Sequence, residues 1–477
     1  MFSFQPPIIV LRFFVKTIQG TFMNTRIRSI GRRSLVCAIG AVMLVTLALP
    51  VAAAPAKKAA RKAPAPAAKV EQPAGPLQIE LFQKLPPSRA KALQELVERF
   101  NAQSETSQVT LVESDWRAAK PPRMMILGGE EEEAFIAGKA RYKPLFALMK
   151  EAGVSMPTVK PAAMMTRKPL NANGQLLALP VGLSTPVLYY NRAAFKRAGL
   201  NTENPPVVTW TALQASIGKL AKNGYGRCAI TIVEPAQVLI ENVSAWDNVP
   251  VVKGGRPNFN ELFHVKYVSL MASWHRAGLL KFFKDRAESE ARFAKGECAV
   301  LIGPSDSWAD FRRQDGLDVG VTRLPYVEDA PGAPQNTLAS GASLWVTAGG
   351  KFAENKVVAS FINFWLQPEN QIIWQRDTGY LPLSRAGIFA SETTLLGDSL
   401  ENIKVAIGQL TNKPATSMSS IQPSIERETA RRVIEEELAD VWADRKSAKA
   451  ALDNAVMRLT PSKPTPSKSA GPSSKKK

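Results

Sequence analysis

The chain has 477 residues, of which 45% are hydrophobic, and a formal net charge of +20. That length is too great for one average domain and fits two lobes with tails, while the apolar share is that of a globular core. The charge does not imply nucleic acid: its excess sits at the two ends, the interior is only slightly basic, and nucleic-acid binding needs a concentrated basic face with stacking aromatics.

Residues 1–54 carry Arg12, Lys16, Arg26, Arg28, Arg32 and Arg33 with no acidic residue, and end in SLVCAIGAVMLVTLALPVAAA, residues 34–54. A basic opening, an apolar run and small residues before a cleavage point make a secretory signal, with Met23 as an alternative start, and predict a periplasmic protein. The competing assignment is a membrane anchor, since about 20 apolar residues span a bilayer. Arg32 and Arg33 also fit twin-arginine export. Cys37, preceded by bulky Val36, is a poor lipidation site. Residues 55–75, rich in Ala, Pro and Lys, and 459–477, rich in Ser, Pro and Lys, have too little apolar surface to offset ordering entropy. Both read as disordered basic tethers; their functional alternative is contact with anionic cell-wall polymers or lipid.

Between the tethers, strands and helices alternate. LQIELF is a strand, and PPSRAKALQELVERFNAQ a helix with Leu93, Leu96, Val97 and Phe100 on one stripe and Ser88 as N-cap. QVTLVE follows as a strand. GGEEEEAF places Glu130 to Glu133 at a helix N-terminus, where the dipole favours them. Then come the strand VLYYN, the helices RAAFKRAGL and TWTALQASIGKLAKNG, the strands CAITIV and CAVLIG, the helix FAENKVVASFINFWLQ, and a last helix over about Ser424 to Arg445. This alternation predicts an α/β architecture with parallel or mixed sheets. Cys228 and Cys298, the cysteines left after signal removal, form one disulfide in an oxidising compartment or remain two buried thiols.

Catalytic chemistry is hard to assemble from these residues. His264 and His275 are the only histidines, and neither sits in a metal-ligand or Ser-His-Asp pattern; no glycine-rich phosphate loop occurs. The four glutamates at 130–133 can be read as paired carboxylates for glycosidic chemistry, but a helix N-terminus explains them more simply. The expectation is a protein that is not an enzyme and uses no metal or cofactor. Small polar and aromatic residues collect instead at element ends, in STPVLYYN, SGASLW and DTGYLP, as suits a cleft in an α/β protein.

Seven blocks in order, STPVLYYNRAAFKRAGL, NPPVVTW, ENVSAWDNVP, AKGECAVLIG, DAPGAPQNTLASGASLWV, FINFWLQPENQIIWQRDTGYLP and EEELADVW, carry a resemblance to the sn-glycerol-3-phosphate-binding periplasmic proteins of ABC importers, within the maltose-binding-like class. The resemblance runs from about Leu77 to Leu459. It implies a two-lobed, type II-like periplasmic binding protein fold with discontinuous lobes joined by a hinge: 76–183 with 344–400, and 184–340 with 405–458. Crossings between lobes fall near Gly182 to Pro186, near Leu338 to Ala342, and near 395–410. Its ligand positions map to Glu130 for glycerol hydroxyls, Ser184 as hydroxyl donor, Gly341 as backbone donor, Tyr380 as phenol and Arg431 for phosphate. The partners implied are a small polar solute, a polyol phosphate or sugar, and an ABC permease.

Arg431 also has a reading from its own helix. It precedes Ile434, Leu438 and Val441 by three, seven and ten residues, so it lies on the apolar stripe and needs an anion, either a ligand phosphate or Glu435. The chain departs from the family pattern in three places. SDWRAAKPP stands where a helix connects two strands, which shortens the first lobe; Glu234 and Gln237 replace two tryptophans; and Pro304 replaces a serine, with Ser305 adjacent. The basic tails, the missing helix and the lost tryptophans support the alternative of a cell-envelope interaction protein on a receptor fold that has lost transport.

Overall fold

The computed structural model describes residues 75–138, 141–155, 170–171, 173–395, 397–417 and 427–460. The expected signal segment, nearly all of the 55–75 tether and the tail beyond residue 460 lie outside the described residues.

Two five-stranded sheets organise the rest. Strands run β1 (Leu77–Gln83), β2 (Ser107–Val112), β3 (Met124–Gly128), β4 (Leu179–Pro180), β5 (Pro186–Asn191), β6 (Ile230–Ile232), the hairpin β7 (Val252–Lys253) and β8 (Arg256–Pro257), β9 (Leu280–Lys281), β10 (Val300–Pro304), β11 (Val319–Thr322) and β12 (Ala342–Val346). The first sheet has the order β2-β1-β3-β12-β4 and the second β11-β5-β10-β6-β9. In the first, β2 and β3 both lie parallel to β1, and β12 is antiparallel to β3 and β4. In the second, β10 is parallel to β6 and antiparallel to β5. The fold is thus the two-lobed mixed α/β architecture expected.

The alternation of β1 sends Ile79 and Leu81 to one face of the first sheet and Phe82 to the other. The helix Pro87–Asn101 lays Leu93, Leu96, Val97 and Phe100 on the first face, where Phe361 and Phe364 meet Phe100 edge to face. Ser88 does not cap this helix. Pro86 is the N-cap and Pro87 the first helical residue, where the missing N–H costs nothing; the Ser88 hydroxyl accepts from Arg89 instead. Residues 113–123 join β2 to β3 without a helix. Trp116 from this link packs on Phe135, which with Tyr142 and Trp345 covers the face a helix would otherwise shield.

The second sheet is sealed by Leu188, Phe195, Leu213, Trp246 and Ile302. Cys228 and Cys298 precede the neighbouring strands β6 and β10 and are joined as a disulfide, so of the two alternatives the bridge is the one formed. The helix Asp398–Leu410 rests on this sheet, with Gln409 bonded to Pro186 and Leu324. At the C-terminal end the helix Arg427–Trp442 buries Val433, Ile434, Leu438 and Val441 against Ala451 and Leu452 of a further helix, Ala448–Leu459. That last helix was not expected. Its inner face is mostly alanine, which gives weak hydrophobic periodicity, and Ser447 caps it. Residues 424–426 of the expected Ser424–Arg445 span lie outside the described residues.

The chain passes from β4 to β5 and from β11 to β12 through two segments that run side by side. Ser184 and Ser340 exchange backbone hydrogen bonds, both 2.9 Å, and the Gly182 N–H donates to the Ala342 carbonyl. Gly341 has φ +141, and a Cβ there would lie 1.5 Å from the Gly182 carbonyl oxygen, so only glycine permits this approach.

Candidate functional site

A cavity of about 530 Å³ opens beside these paired segments. Its floor and walls come from element ends: the link after β1 (Lys84 to Pro86), the turn from β3 into the helix Gly129–Ala137, residues 182–184 and 339–343, the turn after β6 with Glu234 and Gln237, Asp306 after β10, Tyr380, and one face of the helix Arg427–Trp442. Loops at strand ends can present polar groups while the sheets keep them in register.

The strongest local electrostatics lie on the last of these walls. Arg431 donates through Nε and Nη2 to the two oxygens of Glu241, each at 2.8 Å, and through Nη1 to Glu428 at 2.9 Å. Arg427, one turn earlier, donates from Nε to the same Glu241 at 2.7 Å. Burial alone would raise the Glu241 carboxyl, but Arg427 and Arg431 outweigh it and hold the group down at about 2. Arg431 therefore does not pair with Glu435. Glu435 instead accepts from the Ala236 N–H at 2.6 Å, and desolvation raises it to about 7.

A second network crosses the opposite side. Asp306, 2% exposed, sits between Arg286 at 2.7 Å and Arg89 at 3.3 Å, and Arg89 also pairs with Asp310. Burial pushes the Asp306 carboxyl up, and the two guanidiniums bring it below its usual range. The Ser184 hydroxyl is engaged here, accepting from the Asp306 N–H at 3.3 Å and lying 3.2 Å from the Ser305 hydroxyl. Tyr380 is 7% exposed, its phenol raised by desolvation, and it lines the cavity.

The third wall holds the residues that replace the expected tryptophans. Gln237 donates from Nε2 to the Ser340 hydroxyl at 3.1 Å. Glu234 adopts φ 48, rare for a residue with a Cβ, and its side chain meets the cavity. The residue is exposed to the cavity, and partial desolvation by the surrounding walls raises its carboxyl against the pull of Arg286 and Arg431.

All five residues mapped from the sequence, Glu130, Ser184, Gly341, Tyr380 and Arg431, line this one cavity. Glu130 is the most open, at 72% side-chain exposure, with Arg432 Nε 3.9 Å away at the mouth. Glu241, Arg427, Arg286 and Asp306 were missed. Arg427 was within reach of sequence reasoning, because it lies four residues before Arg431 on the same helical face; the others come from distant segments that only the tertiary fold gathers.

Residues 137–394 match the bacterial extracellular solute-binding protein family. Curated relatives include the sn-glycerol-3-phosphate-binding periplasmic proteins of Pectobacterium atrosepticum, 33% identical over 72% of this chain and 79% of that one, and of Yersinia enterocolitica, 34% identical over 72% and 80%. Among solved structures, UgpB from Mycobacterium tuberculosis in complex with glycerophosphocholine superposes with a TM-score of 0.64 at 22% identity, covering 81% of this chain and 97% of that one. Maltose-bound T. maritima MalE3 superposes at 0.61 with 15% identity, covering 80% and 99%.

Proposed function

We propose, on the premise that this chain belongs to the bacterial extracellular solute-binding proteins, that its cleft takes glycerol 3-phosphate or a related small phosphorylated polyol in the periplasm and delivers it to an ABC permease. The observation that carries this reading is the state of Arg431. A guanidinium has five N–H donors. Three are spent on Glu241 and Glu428, which leaves one each on Nη1 and Nη2 at the cavity wall. Glu241 thus orients the guanidinium without consuming it, and a phosphate oxygen accepts charge-assisted bonds from the remaining pair.

Around that anchor, the Tyr380 phenol and the Gly341 backbone address the solute's hydroxyls, and Glu130 closes over it from the mouth. Ser184 contributes mainly by holding Asp306 in place. The lobes, 76–183 with 344–400 and 184–340 with 405–458, close about the paired segments at Gly182 and Gly341, and binding shifts the population toward the closed form. Contacts across the mouth favour that form: the Glu428 N–H donates to Glu133 at 3.0 Å, and Arg432 faces Glu130. No catalytic step is assigned to the chain. Among the described residues no helix is long and apolar enough to cross a membrane.

A thermal-shift series on the purified chain with glycerol 3-phosphate, glycerol, maltose and inorganic phosphate tests the reading. It expects stabilisation by the polyol phosphate above that by glycerol or phosphate alone. A flat response to every solute, with retention on anionic lipid or cell wall, would favour the alternative of an envelope interaction protein, which the loss of two tryptophan walls to Glu234 and Gln237 supports.

A further inference from the structure

We propose that Glu234, with Glu435 beside it, forms a subsite for a positively charged amino group, so that the solute carries an ammonium as well as its hydroxyl or phosphate end. This rests on the receptor reading above and narrows its ligand.

The charge pairing of the cleft carries the inference. Each guanidinium along its inner walls already has a carboxylate: Arg427 and Arg431 share Glu241, Arg431 also holds Glu428, and Arg286 holds Asp306 and Glu290. The Glu234 carboxylate has no hydrogen bond or ion pair among the described residues, its backbone carbonyl alone accepting from the Val238 N–H, and the Glu435 carboxylate receives only a backbone N–H. Arg286 and Arg431 reach Glu234 only through space. The inner guanidiniums are thus held by carboxylates while Arg431 keeps two N–H groups for a phosphate oxygen, and the Glu234 carboxylate has no cation bonded to it. An ammonium on the solute gives that carboxylate the cation it lacks.

Position and room agree with this. Glu234 stands at the cavity wall in a left-handed conformation that a side chain rarely adopts, directly before Pro235, which disfavours helical backbone at the preceding residue. Gln237, three residues on, has its amide nitrogen tied to Ser340, which leaves its carbonyl oxygen as an acceptor on the same turn. The cavity of about 530 Å³ is within the range that holds drug-sized molecules, larger than a three-carbon phosphate requires.

The test is calorimetric titration of the full chain, near pH 8 and at low salt, with matched pairs that differ only in the amine. One pair is glycerophosphoethanolamine and its N-acetyl derivative; the other is glucosamine and glucose. The inference expects the amine of at least one pair to bind about tenfold tighter or more than its uncharged partner. It expects Glu234→Gln to erase that ratio, and which pair responds tells a phosphodiester from an amino sugar. Glu234→Gly, which relieves the backbone constraint while removing the carboxylate, must give the same loss and guards against misfolding of the glutamine variant. Equal affinity within both pairs, or a ratio that survives in both variants, overturns the inference and leaves the receptor reading standing. Binding of none of these four probes, nor of glycerol 3-phosphate titrated beside them, overturns both.

Discussion

Arg431 and Glu241 meet side by side, two N–H groups on two carboxylate oxygens at 2.8 Å each, joining the helix Arg427–Trp442 to the helical turn Ala236–Asn242. Arg427 shares the same carboxylate. Removing Glu241 leaves two largely buried guanidiniums facing each other, whereas removing Arg431 leaves Glu241 still paired. Glu241→Ala is therefore expected to cost about 3 to 5 kcal/mol and Arg431→Ala clearly less, as read from urea midpoints at constant m-value.

The Gly182–Gly341 approach predicts a sharp contrast between two alanine substitutions. Gly341→Ala places a Cβ 1.5 Å from a carbonyl oxygen at φ +141 and should destabilise by about 3 kcal/mol or more. Gly218, inside the helix Trp210–Leu220, has nothing within 4 Å of the position a Cβ would take, and should accept alanine with a gain of about 1 kcal/mol. Thermal denaturation of the two variants beside the parent measures both.

Stability should fall as pH rises from about 5 to about 8. Burial raises the folded Asp247 and Glu435 carboxyls to about 7, so the folded state keeps protons that the unfolded chain has released, and their contribution is lost as pH climbs through that value. His264, lowered by burial to about 4, acts the other way below its unfolded value, but it is one group against two. Glu241, held at about 2, contributes stability that is complete above its ordinary range and disappears only in strong acid. Asp247 is fully buried and one of its oxygens lacks a partner, so Asp247→Asn should flatten the alkaline limb of the Tm profile.

The Cys228–Cys298 bridge spans 70 residues, and closing a loop of that length contributes about 4 kcal/mol in the chain-entropy account. Dithiothreitol should lower the Tm of the parent and leave that of a Cys228→Ala/Cys298→Ala variant unchanged.

How far the sequence foretold all this depended on the kind of signal. Strand alternation in LQIELF and the Leu93–Phe100 stripe are local, and both elements form as read. The closing helix Ala448–Leu459 escaped because alanine faces carry little hydrophobic contrast. Arg431 was expected to need an anion because it lies on an apolar stripe, and it does have one; its identity as Glu241, 190 residues away, is a tertiary fact with no local trace. Glu234 was legible as a departure from a family pattern. That it stands without a partner among the described residues required the pairing of every neighbouring cation to be known.

The measurement that bears most directly on the central claim is calorimetric titration of the full chain with glycerol 3-phosphate and its glycerophosphodiesters, run on the parent and on Arg431→Ala. The account predicts saturable one-site binding by at least one of these solutes, weakened by a factor of about 100 or more when the charge-assisted bonds of Arg431 are removed. Parent and variant binding every solute alike, or the parent binding none, would contradict it.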